Sequence, residues 1–260
     1  VPPRTRTAKS TRGSYASVLN AYPMATYRRE IVSNESGLIR KFSAALRRLP
    51  APLPETKPRL NKSLQGNLAE TLVYELGDEY WALFKKRWTW VANATTPWKK
   101  SSDPGFDILA IRPGPPLTLL VIEVKSSSIS GTKLIASKKS SLKADFSGLF
   151  SRNARGRLTI RIGAILSDLE LKMSRPDMVE PVKRLVGTKP STSPKIQLIG
   201  VLVCCTGSNT SHIARRERAF TRLQHWLIKK GWQPTQVRLN SIELNDLNDF
   251  LKKTIQKTFQ

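Results

Sequence analysis

Residues 105–125 read Gly-Phe-Asp-Ile-Leu-Ala-Ile-Arg-Pro-Gly-Pro-Pro-Leu-Thr-Leu-Leu-Val-Ile-Glu-Val-Lys. Two runs of β-favouring residues flank a Pro-Gly-Pro-Pro turn, the pattern of a β-hairpin. A turn centred near Pro115 sets Asp107 opposite Glu123 on the paired strand. Side chains alternate along a strand, so Glu123 and Lys125 share a face and Val124 points the other way. Two carboxylates and an ammonium are thereby brought to one side of a sheet otherwise built of Ile, Leu and Val. Burying such charge is costly unless the groups pair or hold a metal.

Charge balance limits what such a chain works on. Lys and Arg total 44 against 19 acidic residues, a formal charge of +25. That excess suits a polyanion, most simply nucleic acid, and not a small neutral metabolite. A generally basic, ribosome-like surface is the plainer alternative. The 260 residues suffice for one large domain or a domain with an added subdomain, and the apolar content is enough for a core. Cys204 and Cys205 are adjacent, with no zinc-ligand spacing, and are expected to be buried strand residues in a reducing compartment. No apolar run approaches the ~18 residues of a membrane span, and the first residues have no apolar segment of a secretory signal. A cytoplasmic location and no membrane partner are the expectations.

Residues 1–14 are basic and aperiodic, a mobile arm. Residues 15–59 are expected to form a helical accessory segment ending in a proline-rich linker, and residues 60–260 the main domain. Leu38, Ile39, Phe42, Ala45, Leu46 and Leu49 place an amphipathic helix over 34–49. The strongest helical periodicity covers 60–86, with Gly77 as a candidate interruption, and Glu70 lies beside its apolar stripe. A short strand follows at 88–91, then a polar loop carrying Lys99 and Lys100, then the hairpin. Beyond it, 133–150 is helix-compatible and 158–166 is strand or helix. A helix is expected over 173–186 and a loop over 187–194. Residues 195–205 read as a strand buried on both faces. A helix over 212–231, with Ala214, Phe220, Leu223, Leu227 and Ile228 inward, precedes a strand at 236–244. A last helix spans 245–259, with Asn245 as its cap.

The hairpin charges fit one chemistry well. Phosphodiester hydrolysis needs charge neutralisation and an activated water, both of which a metal provides. Hard cations such as Mg²⁺ prefer oxygen donors. Asp107 and Glu123 supply carboxylates, the Val124 carbonyl is a further candidate ligand, and Lys125 would polarise water or stabilise a crowded phosphate. The competing reading is a cross-strand salt bridge of Lys125 with Glu123 or Asp107.

Gly105-Phe106-Asp107 followed by Val121-Ile122-Glu123-Val124-Lys125 resembles the PD-(D/E)XK nuclease superfamily. The resemblance covers roughly residues 60–205. It implies an α/β, restriction-endonuclease-like α-β-β-β-α-β core, a central mixed sheet flanked by helices, here with extra N- and C-terminal helices. It further implies Asp107, Glu123 and Lys125 as catalytic residues, Glu70 from the first helix as an added member, and Asp107, Glu123, Val124 and Glu70 as the metal set, for Mg²⁺ or Mn²⁺. Phe106 stands where the family's name-giving proline would be, and Asp103-Pro104 nearby makes Asp103 a fallback ligand. A narrower similarity is to the nuclease subunit of the Hachiman antiphage system, which works with a helicase.

The implied activity is a metal-dependent DNA endonuclease of low sequence specificity, in defence, mobile-element or repair biology. Its partners would be DNA and a helicase or other defence or mobile-element subunit, with self-association left open. The alternatives are a non-cleaving nucleic-acid-binding subunit with the same fold and an RNA-directed nuclease. Lys99, Lys100, Ser126, Lys133, Lys138 and Lys139 are the candidate nucleic-acid contacts. Trp98 is expected in packing, with base stacking as its alternative role. His212 and His225 are treated as structural, and the absence of a Gly-Lys-Ser phosphate loop gives no support to ATP use.

Overall fold

A computed structural model describes residues 27–49, 53–80, 89–93, 98, 107–112, 118–150, 196–206 and 210–260. The readings for residues 1–14, Lys99, Lys100, Asp103, the hairpin turn, and 158–166, 173–186 and 187–194 lie outside these.

The strands are β1 (Tyr27–Ile31), β2 (Thr89–Asn93), β3 (Ile108–Arg112), β4 (Thr118–Ser127), β5 (Ile196–Cys205) and β6 (Val237–Leu244). They form one mixed six-stranded sheet in the order β1-β6-β5-β4-β3-β2. β2, β3 and β4 are antiparallel in succession, whereas β4, β5, β6 and β1 run parallel. The protein is thus α/β with a helix-flanked mixed sheet. The hairpin register is the one expected: Ile108 pairs with Ile122 and Leu109 with Val121, which carries Asp107 toward Glu123.

β4 and β5 are central and buried on both faces, which explains their near-continuous apolar sequences. Alternation sorts their side chains into two cores. Leu120, Ile122 and Val124 of β4 pack with α1 (Glu35–Arg47), α2 (Lys62–Tyr80) and α6 (Leu247–Thr258) through Phe42, Leu68, Leu72 and Phe250. Leu119 and Val121 pack on the other face with α3 (Lys133–Ala136), α4 (Leu142–Phe150) and α5 (Thr210–Lys229) through Ile135, Leu142, Phe146 and Phe220. Glu123 and Lys125 continue that second set.

Local chemistry sets the helix boundaries. Asn34 caps α1 by accepting from the Gly37 N–H at 2.8 Å, and Asn61 accepts from the Leu64 N–H at 2.9 Å. α6 is capped by Asp246, which accepts from the Asp249 N–H at 3.0 Å, one residue later than the expected Asn245. The helix expected over 133–150 is two helices. Between them Ser141 Oγ donates to the Ser137 carbonyl at 2.7 Å and accepts from the Ala144 N–H at 3.2 Å, and Ser140 has φ 48°. Serine hydroxyls compete there for the backbone bonds a continuous helix would use. α2 runs through Gly77. On α5 the expected inward Ala214 is exposed and Arg216 is buried instead. Residues 27–49, expected as an accessory helical segment, add edge strand β1 to the main sheet and helix α1 to its core.

Gly200 of β5, the register partner of Glu123, sets how near α4 lies to the sheet. A Cβ there would meet Leu239 Cδ2 at 3.0 Å and Leu142 Cδ1 at 3.1 Å. The missing side chain lets Leu142 and Phe146 close on the sheet, and α4 brings Asp145 with them.

Candidate active site

Asp107 immediately precedes β3, and its Oδ2 accepts the Val124 N–H at 2.7 Å. In a strand, the N–H and C=O of one residue point to the same side, so the Val124 carbonyl is directed toward the Asp107 edge of β4. Glu123 is buried to 1% exposure, and its carboxyl hydrogen-bonds that of Asp107. Its Oε1 has no hydrogen-bond partner. Such an orphan is unusual, since buried polar atoms are overwhelmingly paired.

Lys125 does not bridge to Glu123 or Asp107, the pairing considered from sequence. Its Nζ lies 2.7 Å from Asp145 Oδ2, both side chains being partly exposed. The group is therefore three carboxyls around one ammonium. Burial pushes the Glu123 pKa well above the carboxylate range, and Asp107 and Asp145 push it further. The Asp107 pKa is also raised, chiefly by burial, against the pull of Lys125 and the Val124 N–H. For Lys125, burial opposes the charge, but the Asp107, Asp145 and Glu123 carboxyls together outweigh it and raise its pKa. Lys125 therefore holds its proton through neutral pH and acts as a fixed cation, while burial favours the protonated form of Asp107 and Glu123.

Asp145 went unremarked in the sequence. Its signal was weak: an acid adjoining the buried Leu142 and Phe146 stripe in a segment otherwise carrying Lys138, Lys139 and Lys143.

Glu70 is buried on α2, the helix whose apolar residues pack on the sheet face opposite Glu123 and Lys125. Among the described residues, no three His, Cys, Asp or Glu side chains are grouped to hold a metal ion. Asp107 and Glu123 with the Val124 carbonyl offer oxygen donors only, and the unpartnered Glu123 Oε1 is an available one. This suits Mg²⁺, which commonly takes one or two carboxylates and keeps its other positions for water and phosphate.

Ser126 accepts from Gln65 Nε2 of α2 at 3.3 Å and, with Lys133, borders a groove beyond the end of β4. Lys138 and Lys139 are exposed between α3 and α4. Trp98 packs edge-on against Phe259, their centroids 6.0 Å apart. Cys204 is buried and Cys205 partly so, both as free thiols. No helix among the described residues is long and apolar enough to cross a membrane.

No protein-family model matches the chain, and no curated protein matches it significantly.

Proposed function

We propose that the protein is a divalent-metal-dependent deoxyribonuclease with a restriction-endonuclease-like core. The observation that carries this reading is the buried Glu123 carboxyl, paired with the half-buried Asp107 and holding an orphaned oxygen, beside the Lys125 ammonium. An unpaired carboxylate oxygen among other acids costs stability unless a cation occupies the site. The order α2-β2-β3-β4-α4-β5, with Asp107 entering β3 and Glu123 and Lys125 near the end of β4, supports the fold assignment.

In this reading Asp107, Glu123 and the Val124 carbonyl hold Mg²⁺ or Mn²⁺. The bound ion would supply charge neutralisation and Lewis acidity toward the phosphodiester. The chain's own residues prepare the site. The Val124 N–H fixes Asp107, and Asp145 holds the Lys125 side chain in one orientation. Lys125, kept protonated, faces the charge that builds on the phosphate in the transition state and is not the proton acceptor. Because burial favours the neutral carboxyls of Asp107 and Glu123, a cation binding there competes with protons, so activity is expected to rise with pH.

The second reading, a nucleic-acid-binding subunit without cleavage, draws on the absence of a three-residue ligand group among the described residues. Incubation with plasmid, single-stranded DNA and RNA, each with Mg²⁺, Mn²⁺ or EDTA, separates the readings. The expected result is metal-dependent nicking or cutting of DNA. Binding in EDTA with no product under any metal supports the second reading, and faster cutting of RNA would redirect the substrate.

A further inference from the structure

Beyond the end of β4 lies a groove of about 940 Å³, bounded by the 126–133 segment and by α2, α5 and α6. Ser126 at its rim follows Lys125 in sequence but faces α2, where it accepts from Gln65, and none of Asp107, Glu123, Lys125 and Asp145 is among the described lining residues. Lys62, Lys133, Lys252 and Arg215 line it from four different helices. A second recess of about 610 Å³ shares Thr132 and Arg215 with it and adds Arg218 and Arg222. Among the described residues lining either there is no carboxylate and no aromatic ring.

The three arginines are seven positions apart end to end, at spacings of three and four, so they share one face of α5. At 1.5 Å per residue they cover roughly 10 Å. All three are exposed, and none forms an ion pair among the described residues. Arg218 Nε donates only to its own helix, at the Ala214 carbonyl. The buried Arg216 between them turns the opposite way, onto Glu243. A lone phosphate would need donors converging on one point. Arg215 faces the lysines across the groove and Arg218 and Arg222 continue the row along the adjoining recess, an arrangement that suits phosphates in series.

We propose that this groove and the adjoining recess hold the phosphate backbone of one nucleic-acid strand, gripped by the lysines of α2, α3 and α6 in the groove and by the Arg215-Arg218-Arg222 row that continues from it. The inference rests on the nuclease reading for the identity of the ligand and gives that reading's substrate a binding surface. Seriate cations without aromatic platforms grip phosphates and leave bases unread, so binding along the groove is indifferent to sequence. Gly131, with φ 64° and a would-be Cβ 2.9 Å from Leu202, holds the wall of the groove against the sheet.

The test is fluorescence anisotropy of a labelled 20-nucleotide strand in EDTA, across a salt series. It compares the full chain, an R218Q/R222Q double variant, a K253Q/K257Q control altered in a separate recess between α1 and α6, and E123Q. Each phosphate contact removed should flatten the log–log salt slope by about 0.7. The groove variant is therefore expected to lose about 1.4 of slope and to bind unrelated sequences equally weakly. The control and E123Q should bind like the unaltered chain. An unchanged slope in R218Q/R222Q with its circular dichroism intact, or an equal loss in the control, overturns the proposal. Groove-dependent binding by a chain that cuts nothing under any metal leaves the groove standing and removes the nuclease reading. Cutting by a chain whose groove variant binds normally does the reverse.

Discussion

Two charged clusters share one face of the sheet, and they are built in opposite ways. At β6, Glu243 is fully buried and receives Arg29 Nε at 3.0 Å and Ser241 Oγ at 2.8 Å on one oxygen. Its other oxygen receives Arg29 Nη2 at 2.9 Å and Arg216 Nη2 at 3.0 Å. Arg216 also donates to the Cys205 carbonyl at 3.0 Å, and Tyr27, stacked on Phe220, bonds Ser241 at 2.9 Å. That network ties β1 and α5 to the sheet. At β4, Glu123 is nearly as buried but faces other acids, and one oxygen has no donor at all. A satisfied buried charge holds elements together. An unsatisfied one costs stability, and its persistence points to a ligand.

The sharpest break in that comparison is functional. E123Q or D107N should reduce DNA cleavage by at least about a thousandfold, equivalent to roughly 4 kcal/mol in the barrier, measured as initial rates on supercoiled plasmid. Cleavage within tenfold of normal by both variants would reduce the cluster to a structural one. The matching change at β6 should act on stability. E243Q leaves Arg216 buried without its counter-ion, and a loss of about 3–5 kcal/mol is expected in urea denaturation. A loss below 1 kcal/mol would remove the contrast.

A third measurement sharpens it through pH. Unfolded carboxyls ionise near ~4. Burial, and in Glu123 the neighbouring acids, place the folded values of Asp107 and Glu123 higher. Between the two values the folded chain keeps a proton that the unfolded chain has released, so stability falls as pH rises through that window and stays lower above it. Without metal, E123Q should therefore gain on the unaltered chain as pH rises from 4 to 8, read as the difference in Tm. Mg²⁺ at a hundred times its Kd should restore about 2.7 kcal/mol to the unaltered chain and much less to E123Q. A difference in Tm that shrinks with pH would contradict the assigned shifts. The smallest effect is expected at Glu70: E70Q should leave the Mg²⁺ concentration for half-maximal cleavage unchanged, since α2 packs on the other face. A severalfold rise would bring Glu70 into the metal set.

The hairpin was legible because turn chemistry and strict alternation act over a few residues. From them follow the register of β3 on β4, the shared face of Glu123 and Lys125, and the nearness of Asp107 to both. A continuous apolar run likewise marked β5 as buried on both faces, and periodicity marked α1, α2, α5 and α6. Tertiary structure decided the partners. Lys125 pairs with Asp145 because Gly200 lets α4 close on the sheet, a contact no local pattern encodes. Arg216 looks like a surface charge among Arg215, Glu217 and Arg218, yet helix rotation sends it to Glu243, 27 residues later. Edge strand β1 exists through its pairing with β6, more than 200 residues away in sequence. Alternation is a property of the backbone and can be read along the chain; the neutralisation of a buried charge depends on which distant group arrives beside it.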